Sequence, residues 1–230
     1  MEAVVLAGGF GTRLRAVVPN LPKPMAPVAN RPFLEILLLM LARKGVTRAV
    51  LSLGYQANLI VQHLGARFAG MELAHEIETH PLGTGGALRA ALGRCTGAEA
   101  LVVNGDTFLD VEFDALRARW HRDHRPLIVG REVPDTARFG RLTLEGARLQ
   151  GFAARGVGGA GTINMGHYVL PTALFRPYPE LPAQFSFEGD FLAPRAPALG
   201  FDVFHTQGLF IDIGVPSDYL RAQTELAPWA

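Results

Sequence analysis

The first half of the chain alternates short apolar runs with longer segments of helical periodicity. The short runs end in glycine or polar residues, as strands buried on both faces do. Between them, apolar residues recur every three or four positions, which predicts helices. Strands that alternate with helices in this way imply right-handed βαβ units and a mostly parallel sheet. Strands are expected at residues 2–7, 46–54, 71–78 and 100–106, and helices at 31–45, 58–65 and 85–93.

The second half of the chain has a different pattern. A hairpin that turns at Glu145 and Gly146 is predicted, and the glycine-rich stretch 156–161 predicts a mobile loop. No internal repeat or linker separates the two halves. The pattern therefore predicts one α/β domain, residues 1–230, whose later strands add a small subdomain over one end of the sheet. Further strands are expected at residues 162–170, 201–205 and 208–214, and helices at 117–125 and 216–226.

Composition is that of an ordinary globular protein and removes several functional classes. Of the 230 residues, 49% are apolar and 19% are charged, and the net charge of +1 argues against a general nucleic-acid binder. The single cysteine excludes an intramolecular disulfide and fits a reducing compartment. The longest apolar stretch, seven residues from Ile36, is far shorter than a membrane span. A cytoplasmic protein without a membrane partner is expected, since no targeting segment is recognisable.

A glycine-rich loop follows the first strand, and the residues around it discriminate between several ligands. The loop reads GGFGTRL from Gly8 to Leu14. Gly9 and Gly11 match the first two glycines of a dinucleotide-binding loop, but Leu14 stands where the third glycine is needed. No Gly-Lys-Ser/Thr occurs in the chain, so the P-loop pattern is absent as well. A turn without any ligand would explain the glycines alone.

Two basic residues near this loop favour a polyphosphate ligand. Arg13 comes directly after the glycines, and Lys23 is held between Pro22 and Pro24, whose rings restrict the backbone. Glycines after a strand let backbone N–H groups approach an anion. An arginine fork and a lysine ammonium then supply the positive charge that phosphates need. The loop is therefore interpreted as a phosphate-binding site rather than an empty turn.

The loop and the PKPM segment together resemble the signature of the sugar-1-phosphate nucleotidyltransferases. The resemblance covers almost the whole chain and implies a Rossmann-like three-layer αβα fold with a mixed, mostly parallel sheet and a small sugar-binding subdomain. It implies that residues 1–110 mainly bind a nucleoside triphosphate and residues 111–230 mainly a sugar 1-phosphate. Arg13 would hold the β- and γ-phosphates, and Lys23 would bridge the α-phosphate and the sugar phosphate. The nucleotide-binding residues implied in the first strand and loop are Leu6, Ala7, Gly8, Gly9, Gly11, Thr12 and Arg13.

Two aspartates in apolar surroundings are candidates for a magnesium site. Asp106 follows the run LVVNG, and Asp212 lies in FIDIG, where an unpaired charge would be costly. The residues alone also allow a strand-end cap or a buried ion pair. The resemblance implies that both aspartates bind Mg²⁺, which prefers carboxylate and phosphate oxygens. Asp106 joins Arg13 and Lys23 as the predicted catalytic residues.

The segment HEIETHPLGTGGAL is expected to bind the base. Its glycines predict a second glycine-rich turn before a helix, where a flat base would lie against the backbone. The resemblance places Glu78, Pro81, Gly83 and Thr84 around the nucleotide. A carboxylate accepts hydrogen bonds but cannot donate them, which suits the adjacent N1–H and N2–H₂ donors of guanine. Glu78 therefore favours GTP over UTP or dTTP.

The sugar-phosphate site departs in one respect from the pattern of the family. Many relatives carry a Glu-Lys pair after the hairpin, whereas this chain has Ala154 and Arg155. Arg155 keeps a charge that binds phosphate, but the glutamate contact to sugar hydroxyls is lost. The sugar-phosphate-binding residues implied by the resemblance are Lys23, Asn104, Gly140, Arg155, Asn164 and Glu188.

Within the family, segments such as PKPMAPVANRPFLE and FIDIGVPSDYLRAQ are similar to the D-glycero-α-D-manno-heptose 1-phosphate guanylyltransferases. That similarity implies transfer of GMP from GTP to the heptose phosphate, giving GDP-heptose for capsule or other surface polysaccharide. Mannose 1-phosphate guanylyltransferase and N-acetylmuramate 1-phosphate uridylyltransferase are alternatives within the family. A nucleotide-sensing protein without turnover is the alternative from another class. The sequence leaves the oligomeric state open, a homodimer included.

Overall fold

The computed structural model describes residues 1–9, 14, 18–19, 21–138, 140–154 and 156–230. Short 3-10 turns at Lys23–Met25 and Ala227–Trp229 and a π-helical segment at Phe187–Leu192 accompany the regular elements. The helices are α1 (Phe33–Arg43), α2 (Ala57–Leu64), α3 (Gly83–Leu92), α4 (Phe113–Asp123), α5 (Ala193–Leu199) and α6 (Pro216–Glu225). The strands are β1 (Glu2–Ala7), β2 (Pro27–Val28), β3 (Arg31–Pro32), β4 (Arg48–Leu53), β5 (Arg67–Phe68), β6 (Met71–Ile77), β7 (Glu99–Asn104), β8 (Thr107–Leu109), β9 (Leu127–Val133), β10 (Leu142–Glu145), β11 (Arg148–Phe152), β12 (Gly161–Pro171), β13 (Asp202–His205) and β14 (Phe210–Asp212).

Ten of these strands form one mixed sheet in the order β10-β11-β13-β9-β12-β7-β1-β4-β6-β5. Strands β7, β1, β4 and β6 run parallel, so their carboxyl ends meet at one edge of the sheet. Strand β12 pairs antiparallel with β7 and with β9, and it thereby joins the second half of the chain to the first. The predicted α/β fold is confirmed.

The later strands continue the same sheet. The predicted hairpin is present as β10 and β11, and the glycine-rich loop before β12 is attached by a hydrogen bond of 2.7 Å from Thr136 Oγ1 to the Val157 carbonyl. Strand β9 was not predicted, because its buried run is short and passes directly into Arg131 and Glu132. Strands β8 and β14 pair antiparallel in a separate two-stranded sheet.

Helices cover both faces of the large sheet. Along β1, Ala3, Val5 and Ala7 pack against α1, α2, α4 and α6, whereas Val4 faces the opposite layer, which contains α3 and α5. This division follows from the strand period of two, which sends successive side chains to opposite faces. The result is the predicted three-layer αβα arrangement. Within the residues that the structure describes, no helix is both long enough and apolar enough to cross a bilayer.

Helices α1 and α6 fix the segment that carries Lys23. Helix α1 is apolar on most faces because it packs on the sheet and also contacts the Lys23–Met25 turn. The Phe33 amide at the start of α1 donates a hydrogen bond of 3.0 Å to the Ala26 carbonyl. From α6, the Tyr219 hydroxyl donates a hydrogen bond of 2.6 Å to the Pro27 carbonyl. The lysine is therefore presented by a short turn that is held on both sides.

Candidate active site

A cavity of about 330 Å³ opens at the carboxyl ends of the parallel strands. One row of side chains crosses it: Asn104, Leu6 and Ser52 lie side by side because β1 pairs in register with both β7 and β4. In open α/β sheets, this edge is where ligands bind. The predicted residues that line the cavity are Leu6, Gly8, Gly9, Glu78, Pro81, Gly83, Thr84, Asn104 and Asp106.

Gly8 allows β1, β4 and β6 to converge beside the cavity. A Cβ on Gly8 would lie 2.4 Å from Glu78 Oε1, and a Cβ on Gly54 would lie 2.6 Å from the Gly8 carbonyl oxygen. Gly54 therefore excludes a side chain, whereas a side chain at Gly8 would displace the Glu78 carboxylate. The side chain of Ala7, in contrast, packs in the core on the opposite face of the sheet. Only its backbone is available to a ligand at this edge.

Glu78 is held in a defined orientation at one end of the cavity. Its backbone amide donates to the Leu53 carbonyl at 2.8 Å, which continues the pairing of β6 with β4. Its side chain accepts a hydrogen bond of 3.0 Å from the Leu82 amide at Oε2. The carboxylate is half-buried, so it presents an acceptor to the cavity in a fixed position.

The glycines of α3 lie between the cavity and the 183–187 segment. Gly83 and Thr84 line the cavity, where base binding is predicted. Cβ atoms added to Gly83, Gly85 and Gly86 would lie 2.6 Å from the Phe185 carbonyl oxygen, 2.2 Å from the Phe185 ring and 2.2 Å from the Ala183 carbonyl oxygen, respectively. All three glycines therefore let the 183–187 segment pack closely on the helix, and the turn expected before the helix is the first part of α3 itself.

Lys23 is directed toward both predicted metal ligands. Its Nζ lies 2.5 Å from Asp106 Oδ2 and 3.5 Å from Asp212 Oδ1. The lysine side chain is 9% exposed, whereas those of Asp106 and Asp212 are 37% and 33% exposed. The ammonium is thus enclosed while both carboxylates remain accessible.

Pairing of β8 with β14 brings the two aspartates together. Asp212 lies opposite Thr107, and the Ile213 amide donates to the Asp106 carbonyl at 3.1 Å. The Gly214 amide donates to Asp212 Oδ1 at 2.7 Å. A Cβ on Gly214 would lie 2.3 Å from Lys23 Nζ, so this glycine leaves the space that the ammonium occupies.

The two aspartates are chemically suitable ligands for Mg²⁺. Carboxylates that reach the same ammonium group can also reach one common cation, and Mg²⁺ is usually bound by one or two carboxylates together with phosphate oxygens. Within the described residues, no three His, Cys, Asp or Glu side chains are grouped as a metal site. A magnesium ion here would therefore take its remaining oxygen ligands from substrate and water.

Near the predicted sugar-binding residues, the side chains of Asn164, Tyr168 and Glu188 form a hydrogen-bonded cluster. Asn164 Nδ2 donates to Glu188 Oε1 at 2.6 Å and to the Tyr168 hydroxyl oxygen at 2.7 Å. The Tyr168 hydroxyl donates to the same Glu188 oxygen at 2.5 Å. Burial, with the Glu188 carboxylate as a further cause, raises the pKa of Tyr168 well above its ordinary value, so the hydroxyl stays a donor.

This cluster adjoins the nucleotide cavity through Gly166. The Gly166 amide donates to Asn164 Oδ1 at 2.9 Å, and a Cβ on Gly166 would lie 2.3 Å from Asn104 Nδ2. Gly140 is exposed and accepts a hydrogen bond of 3.2 Å from the Asn164 amide. A second link is Thr84, whose Oγ1 accepts from the Phe187 amide at 2.9 Å beside Glu188. Among the described residues, the predicted nucleotide and sugar sites are therefore adjacent.

Four predicted site residues lie outside the described part of the chain: Gly11, Thr12, Arg13 and Arg155. Their roles stay predictions. Other residues enter the site without having been predicted, namely Ser52, Ala87, Tyr168 and Gly214. Ser52 could have been identified from the sequence as a candidate, since it is the polar residue within the apolar run AVLSL.

Comparison with known proteins identifies the family of the chain. A profile of the nucleotidyl transferase family matches residues 2–228. The chain is 37% identical over 227 residues to D-glycero-alpha-D-manno-heptose 1-phosphate guanylyltransferase of Aneurinibacillus thermoaerophilus, covering 98% of each chain. It is 34% identical over 220 residues to the protein of the same name from Campylobacter jejuni, covering 95% of this chain and 97% of that one. HddC of Yersinia pseudotuberculosis, solved in complex with GMP-PN, matches with a TM-score of 0.84 and 36% identity, covering 96% of this chain and 97% of the other. The chain belongs to the nucleotidyl transferase family.

Proposed function

We propose that this protein transfers GMP from GTP to D-glycero-α-D-manno-heptose 1-phosphate, forming GDP-heptose and pyrophosphate. The observation that carries the proposal is one cavity lined by Glu78 and by Asp106, with Lys23 in contact with Asp106 and with Asp212 beside it. The backbones of β6 and β7, which lead to Glu78 and Asp106, lie about 14 Å apart because two strands separate them, and a nucleotide is proposed to lie across these strand ends. The names of the similar proteins from two organisms support the same reaction.

Glu78 supports guanine as the base. Its carboxylate is oriented by the Leu82 amide and faces the cavity as an acceptor. Guanine places N1–H and N2–H₂ side by side and matches an acceptor that cannot donate. Uracil and thymine offer one donor between two acceptors, which leaves a carboxylate facing carbonyl oxygens. The electrostatic preference is therefore for GTP.

The phosphate end supports an in-line transfer without a covalent enzyme intermediate. An oxygen of the sugar phosphate would attack the α-phosphorus of GTP, and the bond to the β-phosphate would break as pyrophosphate leaves. Lys23 would hold the α-phosphate against the incoming sugar phosphate, and Arg13 is proposed to hold the leaving phosphates. Mg²⁺ bound by Asp106 and Asp212 would neutralise charge on the phosphates. The alignment of the reactants, not a nucleophilic side chain, would provide most of the rate.

Asn164 and Glu188 are proposed to bind hydroxyl groups of the sugar. Glu188 is exposed at its carboxylate, yet Asn164 and Tyr168 hold one of its oxygens in place. A carboxylate held in this way accepts hydrogen bonds from sugar hydroxyls. Such a contact offers a substitute for the glutamate that is absent where the chain has Ala154.

We also propose that the product serves the synthesis of capsule or another surface polysaccharide, and that the reaction takes place in the cytoplasm. The similar heptose 1-phosphate guanylyltransferases support the product. The solitary cysteine supports a reducing compartment.

A substrate matrix tests the proposal. Four nucleoside triphosphates are combined with heptose, mannose, glucose and N-acetylmuramate 1-phosphates, and pyrophosphate is measured with and without Mg²⁺. We expect the highest kcat/KM for GTP with the heptose phosphate, and dependence on Mg²⁺. A preference for mannose 1-phosphate or for UTP would assign one of the alternative reactions. Binding of GTP without pyrophosphate release in any combination would instead indicate a nucleotide sensor.

A further inference from the structure

Ser52 brings an unpaired hydroxyl group to the cavity. Its side chain is 0% exposed, and the residue lines the cavity from β4. Its Oγ makes no hydrogen bond to any residue that the structure describes. Buried hydroxyl groups are nearly always paired, because burial without a partner is costly. A polar atom of this kind, in a residue that lines a ligand cavity, points to a partner on the ligand.

The position of Ser52 identifies the part of the ligand that it meets. Ser52 pairs with Glu76 across β4 and β6, and Glu78 lies two residues farther along the same face. Asp106, in contrast, follows β7, which is separated from β4 by β1. Ser52 therefore lies at the Glu78 end of the cavity, where the base is expected, and away from the phosphate end.

We propose that the Ser52 hydroxyl contacts the base of the bound nucleotide and, with Glu78, completes the recognition of guanine. This inference rests on the proposed function. Guanine presents the acceptor O6 next to the donors N1–H and N2–H₂, and a hydroxyl group both donates and accepts. If Glu78 accepts hydrogen bonds from N1–H and from one N2 proton, Ser52 either donates a hydrogen bond to O6 or accepts one from the second N2 proton. Adenine offers a donor and an acceptor in the opposite order, so it would meet Glu78 with its unprotonated N1.

Nucleotide binding without sugar phosphate tests the contact directly. Dissociation constants are measured for the full-length protein and its Ser52→Ala variant with GTP, ITP and 2-aminopurine riboside triphosphate. ITP lacks the N2 amine, and the 2-aminopurine nucleotide lacks both O6 and the N1 proton, so for each nucleotide the variant is compared with the wild type. We expect Ser52→Ala to bind GTP about 2- to 10-fold more weakly, the effect of one neutral hydrogen bond. For the analogue that lacks the group contacted by Ser52, Ser52→Ala should bind as tightly as the wild type does.

Two further variants separate a contact from a general structural effect. Ser52→Thr keeps the hydroxyl and suits a strand, so it should retain most of the GTP affinity. Ser217→Ala removes an exposed hydroxyl outside the cavity and should bind all three nucleotides as the wild type does.

The melting temperature of unliganded Ser52→Ala should rise by about 2–4 °C, because the substitution removes an unpaired buried group. A hydroxyl with a structural partner would give a lower melting temperature instead.

Clear results would overturn the inference. If Ser52→Ala binds GTP as tightly as the wild type does, or if its affinity falls by the same factor for all three nucleotides, a base contact is refuted. A lower melting temperature of the variant refutes the unpaired hydroxyl. A wild-type protein that binds GTP but releases no pyrophosphate with any sugar phosphate refutes the proposed function and leaves this contact standing.

Discussion

Replacement of Gly214 by alanine tests whether the position of Lys23 controls the reaction. The new Cβ would lie 2.3 Å from Lys23 Nζ and 2.9 Å from Asp212 Oδ1. The ammonium is the flexible end of its side chain, so it moves rather than the backbone and the fold tolerates the change. It then cannot keep its present distances of 2.5 Å to Asp106 and 3.5 Å to Asp212.

The size of the effect follows from the contact that is lost. A hydrogen bond between charged groups contributes about 1.5–3 kcal/mol, and the lower part of that range applies because both carboxylates are about one-third exposed. If the transition state loses about 1.5–2 kcal/mol, kcat/KM for pyrophosphate release falls about 10- to 30-fold. The melting temperature should change little, within about 3 °C.

A matched glycine variant provides the control for this experiment. Gly151 has no atom within 4 Å of an added Cβ, so Gly151→Ala should leave both activity and stability near those of the wild type. Activity of Gly214→Ala within about 3-fold of the wild type would show that the position of Lys23 does not limit the reaction. Unfolding of Gly214→Ala, with a large drop in melting temperature, would show that the glycine has a structural role instead.

Three other predictions follow from the same contacts. Glu78→Gln should lower kcat/KM for GTP about 10-fold or more and improve it for UTP, because an amide donates as well as accepts; unchanged base preference would contradict base recognition by Glu78. Tyr168→Phe removes a hydrogen-bond donor from Glu188, so it should raise the KM for the sugar phosphate about 2- to 10-fold and leave the KM for GTP unchanged. The control variant Tyr178→Phe should change neither KM value. Burial lowers the pKa of His167 from 6.5 to about 4, which means that the folded state binds the proton more weakly than the unfolded chain. The free energy of unfolding should therefore fall by about 3 kcal/mol as the pH drops from 6.5 to 4, and urea titrations of His167→Leu should lack this part of the decrease.

Much of the parallel half of the sheet was predictable because its signals are local. A buried strand such as β1 is a continuous apolar run, and the helices between strands have their own periodicity and end at glycine. The phosphate-binding interpretation was also local, since Lys23 stands between two prolines close to a glycine-rich loop. Strand β9 lacked a comparable signal, because its apolar part is short.

The purpose of individual small or polar residues was less predictable. The glycines of GTGG predict a turn, but all of them lie in α3. Gly83, Gly85 and Gly86 allow the distant segment 183–187 to pack on this helix, and Gly83 lines the cavity as well. In the sequence, a glycine that allows close packing cannot be distinguished from a glycine that allows a ligand to approach.

The sequence by itself determined the class of fold and the succession of strands and helices along the first half of the chain, and it contains the residue types on which the phosphate-binding prediction rests. Only the tertiary structure decided which of those residues meet. Lys23 and Asp212 are 189 positions apart in the chain, and the pairing of β8 with β14 places Asp212 beside Asp106. The unpaired hydroxyl of Ser52 is likewise a property of its surroundings and not of the run AVLSL. The physical reason is that periodicity and turn residues reflect the burial and backbone conformation of one segment at a time. A site is formed by contacts between distant segments, and the sequence of one segment does not indicate which other segment it will contact.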